Sequence, residues 1–266
     1  MFDLHNHMLP ELDDGPRDWD QSLIMARIAV EDGIEGIVCT PHWVNGSWDN
    51  GRSTVMDAVE LFREKLAENN IALDVYPGSE LHLDFDLPRR IEEKEVLTIN
   101  DTGRYALVEL PTEVVPPNMR NFFWELQSQN VVPIVSHPER NHVLMRDPER
   151  LFNWVDMGVL TQVTASSLLG KFGSEIRRFT IQLMEHNMAH IIATDAHSPT
   201  MRTPRLSEAY SEAEQIVGEA MAREMVVDTP RLVIQGEPIR TYNPIPLNSR
   251  RSKPSFFKRL FGRDGR

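Results

Sequence analysis

Short apolar runs that alternate with longer amphipathic segments constrain the fold of this chain more than any other feature. Seven runs have the length of strands: Phe2–His7, Gly36–His42, Leu73–Leu81, Tyr105–Leu110, Val132–His137, Leu160–Ala165 and His190–Ala196. Helical spacing fills segments between them, as in Asp20–Asp32, Ser53–Asn70, Met119–Asn130, Pro148–Met157 and Ser174–Asn187. Strands that alternate with helices predict a parallel sheet. A closed parallel β/α barrel is the favoured architecture, and a doubly wound sheet is the second choice.

Composition and charge fit one globular domain with a short basic extension. Hydrophobic residues make up 41% and charged residues 26% of the chain, so a full core is expected. Residues 247–266 contain seven Lys or Arg and one Asp, a charge of +6, which leaves −12 − 6 = −18 on residues 1–246. An acidic body argues against a general nucleic-acid binder. We expect a barrel over residues 1–246 and a mobile basic tail over residues 247–266.

The chain shows no signal peptide and no apolar stretch that approaches the roughly 18 residues of a membrane span. Its one cysteine, Cys39, can form neither an internal disulfide nor a thiolate metal cluster. Both observations predict a cytoplasmic protein, in which any metal ion is held by nitrogen and oxygen.

Side chains that bind metal ions stand at the ends of the predicted strands. His5 and His7 end the first strand, and because strand side chains alternate between faces, both project to the same side. Later strands end with the further possible ligands His42, Glu80, Glu109, His137, Asp195 and His197. Catalytic groups of parallel barrels gather at this rim, so the sequence predicts a metal site there. Asp3 is either a partner of a ligating imidazole or a polar residue at the start of a strand.

Ordered motifs over residues 1–240 resemble the PHP (polymerase and histidinol phosphatase) superfamily. The chain is similar to its bacterial manganese-dependent tyrosine-protein phosphatases of capsule and exopolysaccharide operons. The motifs are Asp-Leu-His-Asn-His at 3–7, Asp-Asp-Gly-Pro at 13–16, Thr-Pro-His at 40–42, Gly-Ser-Glu at 78–80, Tyr-Ala-Leu-Val-Glu at 105–109, His-Pro-Glu-Arg at 137–140, Ala-Thr-Asp-Ala-His at 193–197 and Asp-Thr-Pro-Arg at 228–231. The resemblance implies a distorted seven-stranded parallel β/α barrel.

The resemblance also implies how three metal ions would be held. The first would bind His5, His7, Glu80 and Asp195; Glu80 would bridge to the second, completed by Glu109 and His137; the third would bind Asp14, His42 and His197. Asp14 enters only through the resemblance, because Asp-Asp-Gly-Pro alone is typical of a turn. These ligand types suit manganese, iron or zinc, and the resemblance favours Mn²⁺. Arg140 matches a phosphate-binding position, and Arg202 and Arg205 could add a second clamp.

The favoured function is metal-dependent hydrolysis of phosphotyrosine on proteins. The expected partner is an autophosphorylating tyrosine kinase that controls capsule or exopolysaccharide synthesis. Cys39 is not expected to act as a nucleophile, since a cysteine-dependent phosphatase would have Arg six residues later and this chain has Asn45. Two alternatives stay open: a small-molecule phosphatase that acts on a histidinol-phosphate-like ester, and a non-catalytic regulator that binds a kinase.

The basic tail predicts a membrane contact. Phe256, Phe257, Leu260 and Phe261 fall on one helical face, with Lys258 and Arg259 elsewhere. Such a segment could attach reversibly to the anionic inner membrane face. A solubilising tail, or a segment folded back on the acidic body, remains an alternative.

Overall fold

The computed structural model describes residues 1–247, in which short strands alternate with helices. The strands are β1 Phe2–Asn6, β2 Gly36–Cys39, β3 His42–Trp43, β4 Asp74–Pro77, β5 Glu80–His82, β6 Tyr105–Glu109, β7 Val132–Ser136, β8 Leu160–Thr164 and β9 Ile191–Ala193. The α-helices are α1 Trp19–Glu31, α2 Arg52–Glu68, α3 Leu87–Glu92, α4 Met119–Ser128, α5 His142–Arg146, α6 Glu149–Asp156, α7 Ala165–Leu168, α8 Ser174–Glu185, α9 Ser207–Val217, α10 Glu219–Arg223 and α11 Thr229–Gln235. Short 3₁₀ turns occur at Ile99–Asp101 and Pro138–Arg140, and a π-helical turn occurs at Glu224–Asp228.

All pairings between these strands are parallel, and they form two sheets. The strand orders are β1-β2-β4 and β3-β5-β6-β7-β8-β9. The end of β1 meets the segment that follows β9 through an isolated parallel bridge between Asn6 and Ala196. The predicted parallel α/β class is therefore confirmed. The predicted closed barrel of seven strands is not, because residues 1–247 form nine strands in two sheets.

The extra strands arise because two predicted strands are each interrupted at the same level. One break falls at Thr40-Pro41, where proline has no N–H to donate to a neighbouring strand. The other falls at Gly78-Ser79, where a Cβ on Gly78 would lie 2.8 Å from Cγ1 of Val38. Only glycine permits this close approach of backbone to side chain. Both breaks immediately precede predicted metal ligands, His42 and Glu80.

Two apolar clusters lie on opposite faces of the strands. On one face Ile37, Val108 and Val135 pack against helical side chains such as Phe62 and Phe122. On the other face the cluster contains Leu4, Leu107, Ile134, Leu160 and, from α11, Ile234. Alternation along each strand produces this division. On this second face, apolar side chains and α11 cover the amino-terminal ends of the strands. The polar residues of this face therefore lie at the carboxyl ends of the strands.

The five helices predicted over residues 20–187 are confirmed to within two residues at each end. Asp18 begins α1 as its cap, since its Oδ1 accepts from the N–H of Gln21 at 2.9 Å. None of the helices in residues 1–247 is both long enough and apolar enough to cross a membrane. The membrane contact predicted for the tail concerns residues 247–266, and of these the structure describes only Leu247.

Candidate metal centre

His5 and His7, at the end of β1, direct their rings at a common point. Their Nε2 atoms lie 3.2 Å apart. The Nδ1 of His5 lies 2.8 Å from Oε1 of Gln162, and the Nδ1 of His7 lies 2.6 Å from Oδ2 of Asp13. These contacts place a proton on each Nδ1, so Nε2 is the nitrogen of each ring that can bind a metal ion. The predicted common direction of the two rings is confirmed.

Glu80, at the start of β5, joins the two sides of the cluster. Its buried Oε2 lies 3.2 Å from Nε2 of His5, 3.4 Å from Nε2 of His7 and 3.1 Å from Nδ1 of His42. Its Oε1 accepts from the hydroxyl of Ser136 at 2.7 Å and lies 2.9 Å from Nε2 of His137. One carboxylate therefore contacts side chains from three other strands or strand ends, β1, β3 and β7, and lies where it could bridge two ions.

A second group of donors lies toward solvent. Oδ1 of the half-exposed Asp14 is 3.2 Å from Nε2 of His197 and 3.7 Å from Nε2 of His42. Oε2 of Glu109 is 3.7 Å from Nδ1 of His42, and its Oε1 is 3.8 Å from His137 Nε2. Three sets of donors are close enough to share an ion: His7, Asp14, His42 and His197; His5, His7 and Glu80; and His42, Glu80 and Glu109.

Asp195 completes the cluster, so the structure places all nine predicted ligands together. Its Oδ1 lies 3.5 Å from Nε2 of His5 and 3.6 Å from Nε2 of His7. The division of the nine residues among three ions stays a prediction, because His42 also approaches Glu80 and Glu109, and His7 also approaches Asp14 and His197.

The donors present fit metal ions. The Nε2 atoms of His5 and His7 lie 3.2 Å apart, so one cation could bind both. Oε2 of Glu80 and Nδ1 of His42 are both buried without a hydrogen-bond partner, although they lie 3.1 Å apart. Buried polar atoms normally have partners, so two unpaired donor atoms this close to each other indicate that an ion binds there. Nitrogen and oxygen donors suit manganese, iron or zinc and do not identify the metal.

The electrostatics of the cluster keep its carboxylates charged. Burial opposes ionisation, yet the nearby histidines, above all His5, hold the pKa of Glu80 and of Asp195 well below its usual range. Burial lowers the pKa of His5, but Glu80 and Asp195 outweigh it and raise that pKa above the ordinary value. The buried carboxylates of Glu80 and Asp195 are therefore negatively charged and can bind cations. Such cations would compete with protons for the imidazole nitrogens.

Arg140 and Arg202 converge on Asp195 at the mouth of the cluster. Nη1 of Arg140 lies 2.6 Å from Oδ2 of Asp195, and Nη2 of Arg202 contacts the same oxygen. Both guanidinium groups remain partly exposed, with side chains 28% and 29% accessible. Arg205 instead pairs with Asp32 at 3.5 Å, and Asp32 also holds the first turn of α9 through Ser207. Of the three arginines considered for phosphate binding, two face the site.

The sequence missed residues that orient the ligands. Asp13 binds His7, Gln162 binds His5, and Ser136 binds Glu80. His82, two residues after Glu80, lies 3.1 Å from Glu109. Alternation along β5 could have placed His82 on the ligand face, but no pattern distinguished Asp13 from Asp14.

The role considered for Asp3 as a partner of a ligating imidazole is wrong. Its carboxylate accepts from the N–H and the hydroxyl of Thr194, at 2.9 and 2.6 Å, and so ties the start of β1 to the end of β9.

Cys39 is fully buried in β2. Burial raises the pKa of its thiol above the ordinary value, so the reactive thiolate is disfavoured. The described residues place no arginine within an ion-pair or hydrogen-bond contact of this sulfur. The side chain behaves as a small apolar strand residue.

A parallel α/β fold with a cluster of histidines and carboxylates at its strand ends, beside two arginines, is typical of a metal-dependent enzyme. Comparison with known families makes this more specific. The chain belongs to the capsular polysaccharide synthesis family CpsB/CapC, whose model matches residues 1–235.

Named relatives cover nearly the whole chain. The tyrosine-protein phosphatase YwqE of Bacillus subtilis (strain 168) is 34% identical over 251 residues, which are 94% of this chain and 98% of the relative. The putative tyrosine-protein phosphatase CapC of Staphylococcus aureus is 32% identical, over 96% of this chain and 99% of the relative. A solved structure from work on YwqE of Bacillus subtilis and CpsB of Streptococcus pneumoniae, described as unique metal-dependent tyrosine phosphatases, matches with a TM-score of 0.89 and 33% identity. The match covers 92% of this chain and 99% of that one.

Proposed function

We propose that this protein is a metal-dependent phosphatase that hydrolyses phosphotyrosine on proteins. The observation that carries the proposal is the convergence of nine nitrogen and oxygen donors and two arginines at one rim of the fold. The relatives described above support the choice of phosphotyrosine. A kinase that controls capsule or exopolysaccharide synthesis is the expected source of the substrate, in keeping with the family.

His5, His7, Asp14, His42, Glu80, Glu109, His137, Asp195 and His197 would hold the ions, with Mn²⁺ as the favoured metal. When bound, such ions would lower the pKa of water and neutralise phosphoryl oxygens. Asp13, Gln162 and Ser136 keep His7, His5 and Glu80, respectively, in fixed orientations.

Arg140 and Arg202 would bind the phosphoryl group through charge-assisted hydrogen bonds. Both side chains already lie at the mouth of the cluster, so each needs only to exchange part of its contact with Asp195 for a phosphate oxygen. The leaving group of phosphotyrosine is a phenolate, whose parent pKa is about 10, so it departs with less help from an acid than an alkoxide would need. This difference favours an aryl ester as substrate.

Turnover of a phosphotyrosine peptide, compared with that of histidinol phosphate, tests the substrate class. The purified protein is stripped of metal and then loaded with Mn²⁺, Fe²⁺ or Zn²⁺. We expect hydrolysis only with metal and a strong preference for the peptide. Preference for histidinol phosphate would support the small-molecule phosphatase, and no turnover with any of the metals would support the non-catalytic regulator.

Arg140→Ala tests the anion-binding mouth, with Arg205→Ala as its matched control. Loss of one charge-assisted contact should lower kcat/KM by roughly 10–100-fold while metal content stays at the wild-type value. Arg205 pairs with Asp32 outside the cluster, so Arg205→Ala should leave turnover unchanged. Equal effects of the two substitutions would contradict the assignment of Arg140.

We also propose that residues 247–266 attach the protein reversibly to an anionic membrane. The support is the basic and aromatic composition of this segment. Co-sedimentation with vesicles that contain phosphatidylserine, at low and high salt, tests it on the full chain and on a chain that ends at residue 246. Salt-sensitive binding by the full chain alone is expected, and equal binding by both chains would contradict it.

A further inference from the structure

The loop that follows β8 lies beside the anion-binding mouth but contributes none of the nine predicted metal ligands. It consists of α7 and the turn over residues 169–173, which leads into α8. Its most exposed apolar side chain is Phe172, 36% accessible. The Cζ of Arg140 lies over the Phe172 ring, 5.2 Å from the ring centroid. An exposed phenyl ring is thus in contact with the arginine proposed to bind the phosphoryl group.

The loop is held in place by contacts that do not involve metal. Gly170 and Gly173 have φ of 76° and 99°, so the turn uses backbone conformations that favour glycine. The N–H of Lys171 donates to the carbonyl of Ser166 at 2.9 Å, and Nε of Arg177 donates to the carbonyl of Leu168 at 3.0 Å. Phe172 therefore stands on a fixed turn between α7 and α8.

A second contact joins the loops after β7 and β8. Glu139, the residue before Arg140, is fully buried, and its Oε1 accepts from the N–H of Thr164 at 2.9 Å and lies 3.2 Å from the Thr164 hydroxyl. Thr164 ends β8 and caps α7. The backbone of the turn that carries Arg140 is thus fastened to β8, while its side chain is covered by the ring that follows α7.

We propose that Phe172 is a positioning residue that orients the Arg140 guanidinium for binding a phosphoryl group. The ring face attracts the cation and leaves the edge of the guanidinium, with its N–H donors, free to form hydrogen bonds. Arginine has many rotamers, and fixing it beforehand lowers the entropy lost when a phosphate binds. Asp195 holds one end of the same group, so the ring and the carboxylate together define its direction.

Phe172→Leu tests this role, because leucine retains apolar volume and removes the π-face. Phe85→Leu is the matched control: Phe85 is 51% exposed in the loop after β5 and packs edge-on against Phe122, 5.8 Å between centroids. Affinity for inorganic phosphate is measured by calorimetry on the Mn²⁺-loaded protein, beside kcat and KM for a phosphotyrosine peptide. Phe172→Leu should weaken phosphate binding by about two- to fivefold relative to the wild type. Phe172→Trp, which retains an aromatic face, should bind phosphate with wild-type affinity. The control should bind phosphate like the wild type.

A double-mutant cycle separates positioning from general loosening of the loop. If Phe172 acts through Arg140, Phe172→Leu should have no further effect on phosphate affinity in an Arg140→Ala background. An equal effect in both backgrounds, or no effect in the wild type, would overturn the inference. Metal content and the thermal midpoint of each variant are measured so that an unfolded variant is recognised. If Phe172→Leu is unfolded, Phe172→Tyr replaces it. Phe172→Tyr should bind phosphate with wild-type affinity, and a loss of affinity would contradict the positioning role.

This inference rests on the proposed function, since it assumes that Arg140 meets a phosphoryl group. The two can fail separately. A metal-loaded wild type that hydrolyses no phosphomonoester refutes the proposed function. A wild type that is active while Phe172→Leu matches it in phosphate affinity refutes only the role of Phe172.

Discussion

Replacement of Asp13 by asparagine should weaken metal binding although Asp13 is not one of the predicted ligands. Its carboxylate accepts three hydrogen bonds: from Nδ1 of His7 at 2.6 Å, from the N–H of His42 at 2.9 Å and from the N–H of Gly15 at 2.9 Å. The nearby His7 holds the pKa of Asp13 below its usual value, although burial opposes ionisation. The carboxylate therefore orients two predicted ligands and fixes the proton of His7 on Nδ1.

The magnitude follows from the number of acceptors. Asparagine has one acceptor oxygen, which can serve His7 and His42 while its NH₂ group faces the N–H of Gly15. Loss of the bond from the Gly15 N–H, with two N–H donors then facing each other, should lower the free energy of unfolding by about 1–3 kcal/mol. Replacement of a charged acceptor of the His7 N–H by a neutral one should cost roughly 1 kcal/mol more. Of this total energy, only the contribution that orients His7 as a ligand affects metal binding. We therefore expect affinity for Mn²⁺ to fall about 10–100-fold, as is usual when the partner of a ligating histidine is removed.

Calorimetric titration of metal-free protein with Mn²⁺ at fixed pH measures this change. Asp18→Asn is the control, because it neutralises a carboxylate that caps α1 and retains an acceptor for Gln21. Asp14→Asn should differ from Asp13→Asn by removing a ligand, and so should reduce the number of ions bound. If Asp13→Asn binds Mn²⁺ with wild-type affinity and stoichiometry, the orienting role of Asp13 is refuted.

Three further predictions concern conformation, pH and chemistry. A Cβ on Gly15 would lie 2.3 Å from the backbone oxygen of His7, so Gly15→Ala should lower the thermal midpoint and metal content; wild-type values for both would contradict this. Burial lowers the pKa of His190 from 6.5 to about 4, so stability is full above pH 6.5 and is lost as pH falls toward 4, by up to about 2 kcal/mol between pH 7 and 5. His190→Asn should flatten that dependence in denaturant unfolding, and an unchanged slope would refute it. Cys39→Ser should retain metal-dependent turnover, and the wild type should resist alkylation; loss of turnover with metal still bound would restore a role for the thiol.

The approximate position of the site could be predicted because parallel strands all end at one rim. Alternation placed His5 and His7 on the same side, and the order of strands brought His137 and Asp195 beside them. Asp14 follows a turn instead of a strand, so periodicity could not include it; only the resemblance did. Its Oδ1 lies 3.2 Å from His197. The sequence could therefore locate ligands that lie on regular elements.

What could not be predicted depends on contacts between distant parts of the chain. Arg202 and Arg205 look equivalent in a loop rich in Pro, Ser and Thr, yet Arg202 meets Asp195 and Arg205 meets Asp32. Gln162 orients His5 across 157 residues of sequence. The breaks in two strands also escaped prediction, since their apolar runs continue through Pro41 and Gly78 without a change of period.

Backbone conformation at two predicted ligands explains why periodicity ends where the metal centre begins. His137 has φ of 28° and Asp195 has φ of 53°, values that residues other than glycine seldom adopt. His137 directly follows β7 and Asp195 lies two residues after β9, and a continued strand would send alternate side chains to opposite faces. Departure from the strand lets Asp195 reach His5 and both arginines while its N–H still donates to the carbonyl of His5 at 2.8 Å. Such strain persists where surrounding contacts determine the conformation, so the contacts that orient Asp195 also stabilise the turn that carries it.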